Sequence, residues 1–179
     1  MVDKPTKKRF TKRPDRERDD FDQRIVDLAR VTRVMAGGKR MRFRACVVIG
    51  DHRGNIGFGL AKGADVTLAV AKAAAHARKR LIKINIIEGT IPHQVLVKYK
   101  AAKVLLRPAP GGTGIIAGGA VRMVLELSGI NNISSKIFGT NNKINNVKAT
   151  FKALEILKNR PEHKTETKKE VEKNINNKE

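Results

Sequence analysis

Along Arg40–Asp51 apolar and basic side chains take turns: Met41, Phe43, Ala45 and Val47 alternate with Arg40, Arg42 and Arg44. Only a strand sends successive residues to opposite faces, so the run predicts a strand with one apolar face and one face of three arginines. Gly37-Gly38 before it is a turn signal, and so is Asp51-His-Arg-Gly54 after it. Upstream, Ile25, Val26, Leu28, Val31 and Val34 fit helix and strand spacing equally over 24–36. Downstream, 55–60 reads as a short strand in which Gly57 and Gly59 permit close backbone approach. Asp65 then suits an N-cap, and the pattern turns helical to Lys83. Val66, Val70, Ala73, Ala77 and Leu81 form its apolar stripe, beside a basic stripe of Lys72, His76, Lys79 and Lys83. The first unit is therefore β-β-β-α.

A second unit starts near Gly89. Strands are expected over 91–98, 103–106 and 132–138, and helices over 118–127 and 145–157, the first stopped by Gly129. Pro108-Ala-Pro-Gly-Gly-Thr-Gly114 is a loop feeding the first of these helices. No repeat relates the units, and the fold class is α+β. The expected organisation is a charged extension over 1–20, domains over 21–87 and 88–159, and a polyampholyte tail over 160–179.

The net charge is +21 from 38 Lys+Arg and 17 Asp+Glu, and its distribution matters more than its size. Residues 21–90 and 91–160 carry +9 each, 1–20 carry +3, and 161–179 carry none. No carboxylate occurs between Ala29 and Gly50 or between Gly89 and Leu125. Surfaces that only face water intersperse both signs, whereas long single-sign windows suit phosphate neutralisation with counterion release. Nucleic acid is the leading partner class and an anionic membrane surface the second. No apolar run approaches the roughly 18 residues of a membrane span, and the first ten residues do not resemble a secretory signal. Cys46, the single cysteine, reads as a core residue of a reduced, cytoplasmic protein.

Catalysis has little to draw on. His52, His76, His93 and His163 are scattered, and Glu126 is the only carboxylate from 89 to 154. No metal ligand set, catalytic residue or cofactor is expected. Gly57-x-Gly59-x-x-x-Gly63 misses the dinucleotide fingerprint by one residue, and the Gly112–Gly118 loop lacks the Gly-Lys-Ser/Thr ending of a P-loop. That loop fits two readings, an anion site at a helix start or a turn that needs glycine for geometry alone. Phe43, Phe58, Phe138 and Phe151 sit on apolar patterns and are assigned to cores, which leaves few aromatics for base stacking. Electrostatic and shape-based recognition of structured RNA is the reading that survives.

The stretches Gly37-Gly-Lys-Arg-Met-Arg-Phe-Arg-Ala-Cys-Val-Val-Ile-Gly-Asp51 and Gly54-Asn-Ile-Gly-Phe-Gly-Leu-Ala-Lys62 closely resemble the signature of the bacterial small-subunit ribosomal protein S-five family. Leu105-Leu-Arg-Pro-Ala109, Gly112-Thr-Gly-Ile-Ile-Ala-Gly-Gly-Ala-Val-Arg122 and Val147-Lys-Ala-Thr150 extend the resemblance through the second unit. It implies a double-stranded-RNA-binding-like first domain and a second α+β domain of the S-five C-terminal type, related to a small-molecule kinase superfamily. It also implies a structural role in the small subunit: binding its rRNA, contacting the neighbouring proteins S-four and S-eight, lining the channel through which mRNA enters, and supporting decoding accuracy. Carried onto this chain, the implied rRNA-binding residues are Arg33, Gly37, Gly38, Lys39, Arg40, Arg42, Arg44, Arg53 and Lys62, then Arg107, Thr113, Gly114, Arg122 and Asn142. Ala36, Met41, Lys100 and Lys143 depart from the family's usual lysine, aromatic, glycine and proline. Two other readings stay open: a free duplex-RNA-binding regulator, and a phosphotransferase using the 108–118 loop.

Overall fold

The computed structural model describes residues 21–157, so the charged extension and the polyampholyte tail lie outside the described residues. β1 (Asp22–Met35) and β2 (Gly38–Gly50) form a long antiparallel hairpin, which settles the ambiguous 24–36 segment as strand. β3 (Asn55–Gly63) pairs with β2, and α1 (Val66–Arg78) crosses the sheet. The helix expected to reach Lys83 stops at Arg78: Lys79 caps it, Arg80 N donates to Ala77 O, and the chain turns into β4 (Leu81–Lys83) against β3. Leu81 continues the helical spacing, but the alternation of Ile82 and Ile84 prevails because it places both against the core. The first sheet thus has the order β1-β2-β3-β4.

The second sheet has the order β5-β6-β8-β7. β5 (Val95–Tyr99) and β6 (Ala102–Pro108) are a tight hairpin, and β7 (Ile115–Ile116) runs parallel to β8 (Ile133–Phe138). α2 (Gly119–Ser128) and α3 (Lys143–Ile156) pack on this sheet and on each other. The expected strand over 91–98 starts four residues late, since Pro92 can neither extend nor donate to a ladder there. The glycine loop leads into β7 before α2 begins, rather than directly into the helix.

The two faces of the first sheet meet different partners. Ala45, Val47 and Ile49 pack with Ala69, Ala73 and Ala77 of α1. Cys46, Val48 and Ile56 point the other way and join one continuous core with Val121, Leu125, Val147 and Phe151 of the second unit. Burial pushes the Cys46 thiol up to about 11, as expected of an inert core cysteine. The α1 interface explains why alanines, and not Val66 and Val70, form the buried stripe. At Gly59 an added Cβ would lie 1.9 Å from Ala73 O, so helix and strand touch backbone to backbone.

Backbone also joins the two units. His52 N donates to Leu127 O at 3.1 Å and Gly54 N donates to Ser128 O at 3.0 Å. The turn that offers these amides is rigid: Asp51 Oδ1 accepts from Arg53 N and Asn55 N, and Asn55 Nδ2 donates to Asp51 Oδ2 at 2.6 Å. A Cβ at Gly129 would lie 2.1 Å from His52 O. Phe58 and Phe151 stack across the joint with centroids 4.6 Å apart. Glu126 closes it: Arg122 Nε donates to Oε1 at 2.8 Å, Arg24 of β1 donates to Oε2, and His52 Nδ1 donates to the Glu126 carbonyl at 2.9 Å. The Arg122 hydrogen bond, opposed by desolvation and helped by the Arg24 charge, holds the Glu126 carboxyl below the usual carboxylate range.

Two outcomes follow from this packing. Gly59→Ala should lose about 2–3 kcal/mol in chemical denaturation, the range for overpacking a filled interface; Gly111→Ala, with open space around it, should lose little. Glu126→Gln should destabilise by about 1 kcal/mol near neutral pH, as for a small charge network. Because the folded carboxyl is depressed, its contribution is complete above the ordinary value of 4.5 and disappears as pH falls through the folded value. Thermal melts of parent and variant should therefore converge in acid; a gap constant down to pH 3 would contradict this account.

Candidate nucleic-acid interface

The hairpin carries its even-numbered β2 residues on one face, and this face changes character along its length. Near the second unit it is Cys46 and Val48; further out it is Arg44, Arg42 and Arg40. Register places Arg33 directly opposite Arg40, Val31 opposite Arg42 and, on the other side of β2, Lys62 opposite Arg44. Arg33, Arg40, Arg42 and Lys62, with Val31, Thr32 and Met35 as floor, line a groove of about 300 Å³. A second hollow, about 350 Å³, wraps the turn from Met35 to Arg40. Gly37 and Gly38 hold φ of +84° and +149°, which lets the strands reverse in so few residues.

Like charges placed opposite one another on a sheet repel. Among the described residues no carboxylate pairs with Arg33, Lys39, Arg40, Arg42 or Lys62. Arg44 differs: its Nη2 donates to Asp27 Oδ2 at 3.3 Å, its side chain is 32% exposed, and its Nε has no partner. It bridges the basic and buried halves of the face. Lys39 lies on the opposite face, opposite Val34, together with Met41 and Arg30. Lys72, His76 and Lys79 are exposed on α1 as expected, while Lys83 belongs to β4.

The remaining sequence-predicted residues are not brought into this groove. Arg53 lies exposed in the turn that docks onto α2. On the second unit each is engaged within the chain: Arg107 Nε donates to Gln94 Oε1 at 3.0 Å, Thr113 Oγ1 to Pro110 O at 2.9 Å, and Arg122 to Glu126. Asn142 is the N-cap of α3, accepting from Ile144 N at 3.1 Å. The glycine loop has no open cradle, since Gly112 N and Gly114 N both donate to Asn132 Oδ1, at 3.1 and 3.2 Å. Of its two readings, that favours the loop held for geometry. Phe138, assigned to a core, is instead 44% exposed at the end of β8.

Sequence reasoning missed Asp27, which tethers Arg44 and lies 3.8 Å from Lys143 Nζ, and Asn132, which fills the loop. Asp27 had a signal: it is the last acid before a long basic window. Asn132 had none, because its partners are about 20 residues away and are backbone.

What the arrangement can do chemically is hold a polyanion along one exposed sheet face. Among the described residues no group of His, Cys, Asp and Glu could hold a metal, and no helix is long and apolar enough to cross a membrane. Comparison with known proteins agrees with the sequence resemblance over both units. Residues 21–85 match the family profile for the N-terminal domain of ribosomal protein S5, and 97–167 match that for its C-terminal domain. The small ribosomal subunit protein uS5 of Chloroflexus aurantiacus is 47% identical over 135 residues, covering 75% of this chain and 76% of that protein. Two domain matches in the right order and a relative of that identity make this chain a member of the ribosomal protein S5 family.

Proposed function

We propose that this chain is a structural, non-catalytic constituent of the small ribosomal subunit in the cytoplasm, binding rRNA through the outer half of the β1–β2 hairpin. The observation that carries this reading is the groove of Arg33, Arg40, Arg42 and Lys62, unpaired within the described residues and set against one another. Cations held at such spacing repel in the free protein and are relieved by phosphates, with counterions released on binding. Lys39, Gly37 and Gly38 extend the contact around the tip. Arg53, Arg107, Thr113, Gly114, Arg122 and Asn142 are secondary contacts in this reading, since each is placed away from the groove and most have roles inside the protein. The domain division at 87/88 and contacts to S-four, S-eight and entering mRNA, with their bearing on decoding accuracy, belong to the same proposal and are supported by family membership.

A double reversal, Arg40→Glu with Arg42→Glu, should weaken binding to small-subunit rRNA. It should also reduce the slope of log K against log salt by about 2, one for each lost phosphate contact. A slope equal to that of the parent would remove both arginines from the interface. Sedimentation of the full chain in lysate at rising salt tests the assembled role: it should stay with small subunits at moderate salt, and a free pool there would favour a duplex-RNA-binding regulator.

A further inference from the structure

The first turns of α2 and α3 converge on a cavity of about 400 Å³ that shares no lining residue with the hairpin groove. Gly118, Gly119, Thr140, Asn141, Lys143 and Asn146 are among its walls. The two helix starts differ. Asn142 caps α3, its side chain accepting from Ile144 N and its carbonyl from Asn146 N. α2 starts on Gly118, which has no side chain to give, so the first-turn amides and the positive end of the helix dipole border the cavity without a side-chain acceptor. Lys143, 59% exposed and only 3.8 Å from Asp27 Oδ1, stands at the rim with a long side chain.

A helix start alone would say little, but Asn146 adds an independent requirement. It is 3% exposed, its Nδ2 donates to Thr140 O at 3.1 Å, and its Oδ1 has no hydrogen-bond partner. Buried oxygens of this kind nearly always find a donor, here one that the chain does not supply. The cavity therefore asks for an anionic oxygen at the α2 start and Lys143, and for a hydroxyl at Asn146. A ribose 3′-phosphate carries both on adjacent carbons.

We infer that this cavity is a ribose 3′-phosphate subsite. The phosphate is held by the Gly119 and Ala120 amides and Lys143, and the 2′-hydroxyl donates to Asn146 Oδ1. The group can come from an RNA strand or from a free nucleotide. For a strand the inference rests on the RNA-binding reading above, and it gives this surface a means of preferring RNA over DNA.

The test is an amide-resolved NMR titration of the full chain with adenosine 3′-monophosphate, its 2′-deoxy analogue, inorganic phosphate and a short oligoribonucleotide. The Gly119 and Ala120 amides should move with the ribonucleotide. The deoxy analogue should bind about fivefold more weakly, the value of one neutral hydrogen bond, and phosphate more weakly still. Gly119→Asp should abolish all of these shifts. No atom lies within 4 Å of a Cβ there, and a carboxylate at a helix start favours the fold, so its thermal melt should match or exceed the parent's. If that variant fails to fold, Lys143→Glu at the exposed rim should reduce binding in its place. Oligonucleotide binding tighter than the mononucleotide's assigns the site to an RNA strand, and the reverse assigns it to a free nucleotide; both support the subsite. Still amides, equal affinity for ribo and deoxy forms, or shifts that survive in folded Gly119→Asp would overturn it. The Arg40/Arg42 double reversal should leave mononucleotide shifts intact, so the groove and the subsite can fail separately.

Discussion

Two backbone hydrogen bonds at the joint between the units organise everything else. The last carbonyls of a helix lack partners within it, and those of Leu127 and Ser128 in α2 are satisfied by amides of the β2–β3 turn in the other unit. The first unit therefore completes a helix of the second. Backbone contact at this distance leaves no room for side chains, which is why glycine stands at 50 and 129. It also seats the inner half of the first sheet so deeply that Cys46, Val48 and Ile56 become part of the second unit's core. The hairpin is thus cantilevered from a clamped base, and its outer half stands clear.

That clamp explains the gradient along one sheet face. Within reach of α2 and α3 the even residues of β2 are apolar; past Arg44 nothing covers them and they are arginines. Asp27 stands at the changeover and neutralises the one arginine that is partly buried. Beyond it repulsion goes unanswered within the described residues, so the hairpin keeps its cations for a partner rather than for its own stability. The second unit uses its polar residues differently: Arg107, Arg122, Asn132 and Asn142 mostly hold its own loops and helix ends.

Much of the fold was legible because its strands and helices announce their periods. The Met41-to-Val47 alternation gave β2 and its basic face, and Gly57 and Gly59 foretold a close helix. Reading failed where a residue satisfies two patterns at once. Leu81 fits a helical step, yet the residues after it alternate, and sheet pairing decided. The unbroken run from Ala45 to Ile49 is apolar at both parities because α1 covers one face and the second unit the other. Lys100 was visible as a departure from a glycine, but only the backbone reveals its consequence, a φ of +52° in the β5–β6 turn. For the site, charge located the groove, while Glu126, Asn132 and Asn146 act through partners distant in sequence and gave no local sign.

β1 is the outermost strand of its sheet, fourteen residues long, with one side of its ladder unpaired. Such an edge is a template for adding strands from other molecules. Val34, Met35 and Met41 leave the hairpin's outer half sticky as well as open-edged. The arginines provide the counterweight, since two copies approaching edge to edge would bring their Arg30 and Arg33 rows together. Before it meets any RNA, the charge of the hairpin thus guards newly made copies against aggregating with one another. A variant neutralised to weaken RNA binding would lose that protection too, so its solubility should be followed alongside its affinity.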